Sequence, residues 1–195
     1  MTTLEEVGQL AKISRLGPIA RRYFVMNAFD GTLTTLGIIL GSHFAMHYDA
    51  HLVVSAGIGA CLAMMFSGLT GTFLVEKAER EREFLRMERA MLKSLDDTVL
   101  KKASRFAIFV SSFVDGFAPF VAGIFCLSPF IAVTLGVIGW DVAVLIAVII
   151  GFSMLFLLGI FLGRISKNSQ WIFGIQTLGA GVATAIAIVI LEFLT

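Results

Sequence analysis

Two aspartates lie inside apolar stretches of the sequence, where a negative charge is rare. Asp30 is in the stretch 23–45, and Asp115 is in the stretch 106–138. A carboxylate at the centre of a bilayer costs at least about 2.5–3.5 kcal/mol on insertion scales. Two carboxylates lower that cost when they share a cation or a proton. The pair therefore predicts an ion-binding or proton-binding function.

The two aspartates have similar depth and similar flanks. Each lies roughly eight to ten residues beyond a basic residue, which at ~1.5 Å per residue puts both about 12–15 Å deep. The segments 29–31 and 113–116 both run from a phenylalanine through the aspartate to a glycine. This similarity predicts two helices with the same function around one pathway, or a weak internal repeat.

Methionines in the same stretches add a second type of ligand. Met64 and Met65 lie near the middle of the next apolar stretch, and Met26 lies one turn before Asp30. Carboxylates combined with thioethers favour a first-row divalent metal over Ca²⁺ or Mg²⁺, which prefer oxygen ligands. The alternatives are that the methionines only pack, and that Asp30 is protonated and bonded to a nearby threonine or asparagine.

The hydrophilic segment 76–105 contains a third group of candidate ligands. Four of its side chains fall on one helical face at 100° per residue, namely Glu76, Glu79, Glu83 and Met87. This stripe of carboxylates ending in a thioether predicts a metal-collecting surface. The alternative is a solvated helix in which Glu79 pairs with Arg82 and Glu83 pairs with Arg86.

The three histidines, at positions 43, 47 and 51, all follow the first apolar stretch. The spacing of His43 and His47 puts both on one helical face, as expected for two ligands of one metal. They predict an exit-side metal or proton site, and the alternative is a chance group of interfacial polar residues.

The composition indicates what positions these residues. The chain has 195 residues, of which 57% are hydrophobic and 15% charged, whereas soluble domains carry roughly 25% charged residues. The predicted fold is an all-α integral membrane protein, with an N-terminal interfacial helix over 1–22 and a charged helical segment over 76–105. Its five transmembrane helices are predicted at 23–45, 52–75, 106–138, 142–162 and 171–194. Asp141 is expected to cap the fourth of these helices.

The basic residues predict the orientation. All 15 fall before the first apolar stretch, in the charged segment, or between the fourth and fifth stretches. The positive-inside rule then puts the N-terminus inside, the charged segment in the cytosol and the C-terminus outside. Because these residues track one membrane surface, nucleic acid is not an expected partner.

Four segments, in order, carry a family resemblance: DGTLTTLGIILG (30–41), SGLTGTFLVEKAE (67–79), LSPF (127–130) and LFLLGIFLGRIS (155–166). In these segments the sequence resembles the vacuolar iron transporter (VIT) family, whose members have five spans. The resemblance implies a homodimer that exports Fe²⁺, and often Mn²⁺, from the cytosol in exchange for protons.

The resemblance also implies roles for particular residues. Asp30 matches the family's membrane aspartate, and Glu76, Glu79 and Glu83 match its metal-collecting glutamates. The family's membrane methionine falls on Gly68, with Met64 one turn earlier as a substitute, and a family glutamate falls on Ala60. Asp115 is then expected to compensate for the missing glutamate.

The predicted function is therefore proton-coupled export of Fe²⁺ or Mn²⁺ by a homodimer among membrane lipids. No enzymatic activity and no prosthetic group is expected. A metal-dependent enzyme acting on lipid head groups and a metal-binding scaffold without transport are the alternatives. With no targeting segment in the sequence, a prokaryotic plasma membrane is the expected location.

Overall fold

The computed structural model describes residues 3–14, 16–95, 98–167 and 169–194, and for residues 3–7, 192 and 193 it describes the backbone alone. Arg15, which was counted in the orientation prediction, and residues 96 and 97 of the charged segment lie outside the described residues. The helices are α1 (Thr3–Ile13), α2 (Leu16–Phe44), α3 (Ala50–Met91), α4 (Val99–Thr134), α5 (Trp140–Ile165) and α6 (Gln170–Leu194). The described residues contain no strand.

Five of these helices, α2 to α6, are long and apolar enough to cross a membrane. The prediction of an all-helical protein with five such helices is therefore confirmed. Their apolar segments agree with the predicted stretches because a run of about 20 apolar residues is the strongest signal for a spanning helix. The inside and outside assignment remains a prediction from the basic residues.

The boundaries differ from the predicted ones in several places. Helix α2 begins at Leu16, seven residues before the predicted span, because Pro18 lies in the first turn, where a missing N–H costs nothing. Helix α4 ends at Thr134 rather than at residue 138. The capping role predicted for Asp141 is wrong, because α5 begins at Trp140 with Gly139 as its N-cap and without a side-chain cap.

The described part of the charged segment contains the end of α3 and the start of α4. Helix α3 continues from its apolar part to Met91, so its last four turns are strongly charged. The chain reverses at Leu92, which has a φ of 52°. The backbone N–H of Leu95 then donates to Glu88 Oε1 at 2.8 Å, and α4 begins at Val99.

The chain packs as two units. The first consists of Met1–Phe24 and Met65–Phe117, and the second of Val25–Met64 and Ala118–Thr195. The second unit has a buried apolar core whose largest members are Phe130, Leu127 and Ile39. In this unit Gly159 brings α5 close to α6, since a Cβ there would lie 2.6 Å from the Phe173 carbonyl oxygen.

Candidate functional site

Asp30 is exposed in the single chain, on a face of α2 that lies away from the core. The same face carries Met26, which is 56% exposed, and Thr34, which is also exposed. Each lies four residues from Asp30, which is one helical turn. The face therefore presents a carboxylate, a thioether and a hydroxyl in a helix whose other side chains are mainly apolar. In the sequence, the only indication that the Met26 thioether belongs to this face was its position one helical turn before Asp30.

The opposite face of α2 explains why Asp30 points outward. Leu36 and Thr32 are fully or nearly fully buried there, and the Thr32 hydroxyl donates to its own helix at Ala28 O, at 2.7 Å. Gly31 packs against the backbone of Pro119 so closely that a Cβ would lie 2.6 Å from the Pro119 Cα. This contact fixes the rotation of α2 and leaves the preceding aspartate on the outer face.

Asp115 has a different environment, although its flanking sequence is similar. It is buried in the first unit, and the Thr72 hydroxyl donates to its Oδ2 at 2.5 Å. The next residue, Gly116, packs against α3, where a Cβ would lie 2.6 Å from the Met65 carbonyl oxygen. The α3 side of this contact is also a glycine, Gly68. Asp115 is thus part of a tight crossing of α3 and α4.

The two candidate methionines of α3 have packing environments. Met64 is partly buried and packs against the core cluster of the second unit, which includes Ile39, Val53 and Cys61. Met65 is half-buried in the first unit, and its carbonyl oxygen faces Gly116. These surroundings are those expected for the packing alternative stated above.

The predicted stripe of carboxylates lines one groove of the first unit, which we call the glutamate groove. The groove has a volume of about 820 Å³. Its lining includes all four predicted residues, Glu76, Glu79, Glu83 and Met87, together with Ile13, Pro18, Ile19, Arg22, Arg80, Phe84 and others. The helical spacing therefore predicted correctly which side chains share this surface.

The glutamates of this groove are not equivalent. Glu76 is buried, accepts a hydrogen bond from the Tyr23 hydroxyl at 3.0 Å, and forms a salt bridge with Arg80 at 3.1 Å. Glu79 and Glu83 are exposed, and Met87 is half-buried. Glu76 is held by protein partners, whereas Glu79 and Glu83 are accessible to a solute.

The ion pairs predicted for this helix are wrong in detail. In the described part of α3 the salt bridges are Lys77–Glu81 at 3.9 Å and Glu76–Arg80. Neither Glu79 nor Glu83 is paired with the predicted arginine. Both observed pairs join residues four apart, whereas the predicted pairs join residues three apart; both separations put two side chains on one helical face.

His43 and His47 do not lie on one helical face, contrary to the prediction from their spacing. Helix α2 ends at Phe44, and Met46 has a φ of 55°, so His47 lies outside the helix that carries His43. The His43 Nδ1 accepts a hydrogen bond from Trp140 Nε1 at 3.1 Å, and the His47 Nδ1 lies 2.8 Å from Ala45 O. The spacing rule failed because it assumed that the helix continued past its real end.

No protein-family model matches the chain. The chain is 30% identical over 179 residues to an uncharacterized protein of Methanocaldococcus jannaschii, MJ0645, and the alignment covers 90% of each protein. The chain belongs to the same family as this archaeal protein. The name of that protein states no activity, so the relationship carries no function to this chain, and the resemblance to the VIT family remains a prediction.

The chemistry available to the single chain follows from this geometry. Among the residues that the structure describes, no three histidine, cysteine, aspartate or glutamate side chains are close enough to hold a metal ion together. The glutamate groove offers two exposed carboxylates, and the α2 face offers one carboxylate beside a thioether. Such sites suit weak, reversible contacts with a cation, and tighter coordination needs further ligands.

Proposed function

We propose that the protein is a proton-coupled transporter that moves Fe²⁺ or Mn²⁺ out of the cytosol and acts as a homodimer. The single observation that carries this proposal is the exposed carboxylate of Asp30 on a helix long and apolar enough to span a membrane. A charge facing lipid at this depth would be strongly unfavourable. Intramembrane carboxylates of this kind mark ion and proton pathways.

A second copy of the chain is the partner that would cover this face. Beyond Asp30 and Thr34 the face continues with Gly37 and Gly41. An added Cβ at Gly41 would meet no atom within 4 Å, and one at Gly37 would be in ordinary contact with the Ile188 side chain of α6 at 3.9 Å. Small residues at four-residue spacing allow two membrane helices to approach closely. A dimer that joins these faces would bring two Asp30 carboxylates and two Met26 thioethers together, which supplies the ligands that one chain lacks.

The glutamate groove supports an entry site in this scheme. Glu79 and Glu83 are exposed, and Met87 adds a thioether at the end of the same surface. Accessible carboxylates attract divalent cations and raise their local concentration. The predicted orientation puts this groove in the cytosol, the side from which metal would be collected.

Protons would supply the direction of transport. A carboxylate that binds a metal ion must be deprotonated, so protons and metal compete for the same oxygen atoms. Acidic conditions on the receiving side would therefore release the metal, and acidification of the cytosolic side would slow its uptake.

The scaffold alternative has one observation in its favour. Glu76, at the start of the glutamate stripe, is buried and engaged by Tyr23 and Arg80. A helix that uses its acids only for structure would show contacts of this kind. The two functions differ in what they require of Asp30, because a scaffold tolerates its neutralisation and a transporter does not.

The proposal is tested by metal flux into proteoliposomes. We expect the wild type to accumulate Fe²⁺ or Mn²⁺ when the release side is acidic, and to lose most of this flux when the pH gradient is collapsed. Asp30→Asn should reduce the flux about tenfold to hundredfold, the effect of losing one interaction of a charged ligand.

Asp141→Asn is the matched control, since Asp141 is also exposed and also lies in a spanning helix. Its flux should stay within about twofold of the wild type. A wild type that moves neither metal, or an Asp30→Asn variant with full flux, would refute the proposal and favour the scaffold.

A further inference from the structure

A second cavity of the first unit lies beside the glutamate groove, and it has the opposite charge. We call it the basic cavity. Its volume is about 750 Å³, and α3 and α4 line it. The charged side chains in its lining are Lys77, Arg80, Lys101, Arg105, Glu81 and Glu88. Arg80 is paired with Glu76 of the glutamate groove at 3.1 Å, so the other three bases against two acids leave a net charge of +1.

The two acids of the basic cavity are already engaged. Glu88 accepts the backbone N–H of Leu95 at 2.8 Å, and Glu81 forms a salt bridge with Lys77 at 3.9 Å. Arg105 is exposed and forms no salt bridge within the described part of the chain. The cavity therefore has an excess of positive charge that is suited to an anion.

The basic cavity also has an apolar end. Phe73 lies four residues before Lys77 on α3, and Phe109 lies four residues after Arg105 on α4. Both are exposed, at 42% and 67%. A separation of four residues is about 6 Å along a helix. On both helices the phenylalanine lies on the side of the apolar stretch, and the base lies on the side of the charged segment.

From this arrangement we infer that the basic cavity binds an anionic phospholipid of the membrane leaflet next to it. The phosphate contacts Arg105 and Lys77, and an acyl chain lies along Phe73 and Phe109. Basic pockets between spanning helices at the membrane surface are suited to anionic head groups. A soluble anion would use only the charged end, and the exposed aromatic end favours a ligand that has both parts. This site is independent of the proposed metal transport.

The inference is tested by native mass spectrometry of the delipidated protein with added phosphatidylglycerol or phosphatidylcholine. The wild type should bind one phosphatidylglycerol per chain in preference to phosphatidylcholine. Arg105→Gln should weaken phosphatidylglycerol binding about fivefold, as expected for one basic residue at a membrane surface. Lys102→Gln is the matched control, because Lys102 lies on the same helix and does not line the cavity.

Further variants separate the ligand sources and guard against misfolding. Arg105→Lys keeps the charge and should retain most of the phosphatidylglycerol binding. Phe109→Ala should weaken the binding of phosphatidylglycerol. Inorganic phosphate should not displace the bound lipid. Equal binding of the two lipids, equal effects of Arg105→Gln and Lys102→Gln, or displacement by millimolar inorganic phosphate would each overturn the inference. If the Arg105→Gln variant unfolds at the same temperature as the wild type, its loss of lipid binding is a local effect and not a result of misfolding.

Discussion

Asp30 and Asp115 are two aspartates followed by glycine in apolar helices, and the structure gives them opposite environments. Asp30 is exposed on α2, and Asp115 is buried with the Thr72 hydroxyl as a donor. The glycines that follow them are alike, because Gly31 and Gly116 each pack against another helix at backbone distance. The shared motif therefore encodes a close helix contact, and the contact decides where the aspartate points.

This difference separates two ways of keeping a carboxylate in an apolar helix. A buried carboxylate with a hydroxyl donor is satisfied within the fold, as most buried polar groups are. An exposed carboxylate in a membrane needs an ion, a proton or another chain. We therefore propose an ion-binding role for Asp30 and a packing role for Asp115, in place of the equal roles expected from their sequences.

The largest expected effect comes from filling the two glycine contacts. Gly31→Ala should cost about 3 kcal/mol of stability, because the new Cβ would lie 2.6 Å from the Pro119 Cα, and backbone cannot move as easily as a side chain. Gly116→Ala should have a similar effect. Thermal unfolding in detergent measures both losses.

Gly71→Ala is the control for this comparison. No atom lies within 4 Å of a Cβ at this position, and alanine is a better helix former than glycine. Its unfolding temperature should equal or slightly exceed that of the wild type. If Gly31→Ala and Gly116→Ala behave like Gly71→Ala, the helix contacts do not fix the aspartates as we describe.

The next effect concerns the partner of Asp115. Thr72→Val removes the hydroxyl that donates to Asp115 and leaves a buried carboxylate with one donor fewer, at a cost of about 1–3 kcal/mol. Thr70→Val is the control, since the Thr70 hydroxyl is exposed and donates only within its own helix, to Phe66 O at 2.7 Å. Equal unfolding temperatures of the two variants would contradict the packing role of Asp115.

The smallest expected effect lies in the glutamate groove. Glu79→Gln removes one exposed carboxylate and should raise the Mn²⁺ concentration for half-maximal flux about threefold while leaving the maximal flux unchanged. Glu81→Gln is the control, because Glu81 lies on the same helix and lines the basic cavity instead. An equal shift in both variants would mean that the groove collects no metal.

The sequence was sufficient for the features that depend on length, composition and helical period. The five spanning helices and the shared groove of Glu76, Glu79, Glu83 and Met87 are examples, since each follows from residues close together in one helix. The predicted end of the first span, residue 45, agrees with the end of α2 at Phe44 to one residue, but the pairing of His43 and His47 assumed a further helical turn. No local signal opposed an additional turn, because the residues beyond Phe44 are not helix breakers.

The difference between Asp30 and Asp115 could not be obtained from the sequence. Their flanks are similar, and burial depends on residues far away in the chain, such as Pro119 for Gly31 and Thr72 for Asp115. The same reason explains Met64, which packs against a buried cluster whose members extend as far along the chain as Ala147. Periodicity identifies a face, but a neighbouring helix decides whether that face is covered.

The central claim is that Asp30 binds the transported ion, whereas Asp115 stabilises the fold. One paired measurement tests this claim most directly. Metal flux per folded protein and thermal unfolding are measured in parallel for Asp30→Asn and Asp115→Asn. We predict that Asp30→Asn loses at least about tenfold in flux with an unchanged unfolding temperature. Asp115→Asn should unfold several degrees lower, at about 2–4 °C per kcal/mol for a chain of this size, and keep its flux. An Asp115→Asn variant that folds like the wild type and transports no metal would contradict the claim.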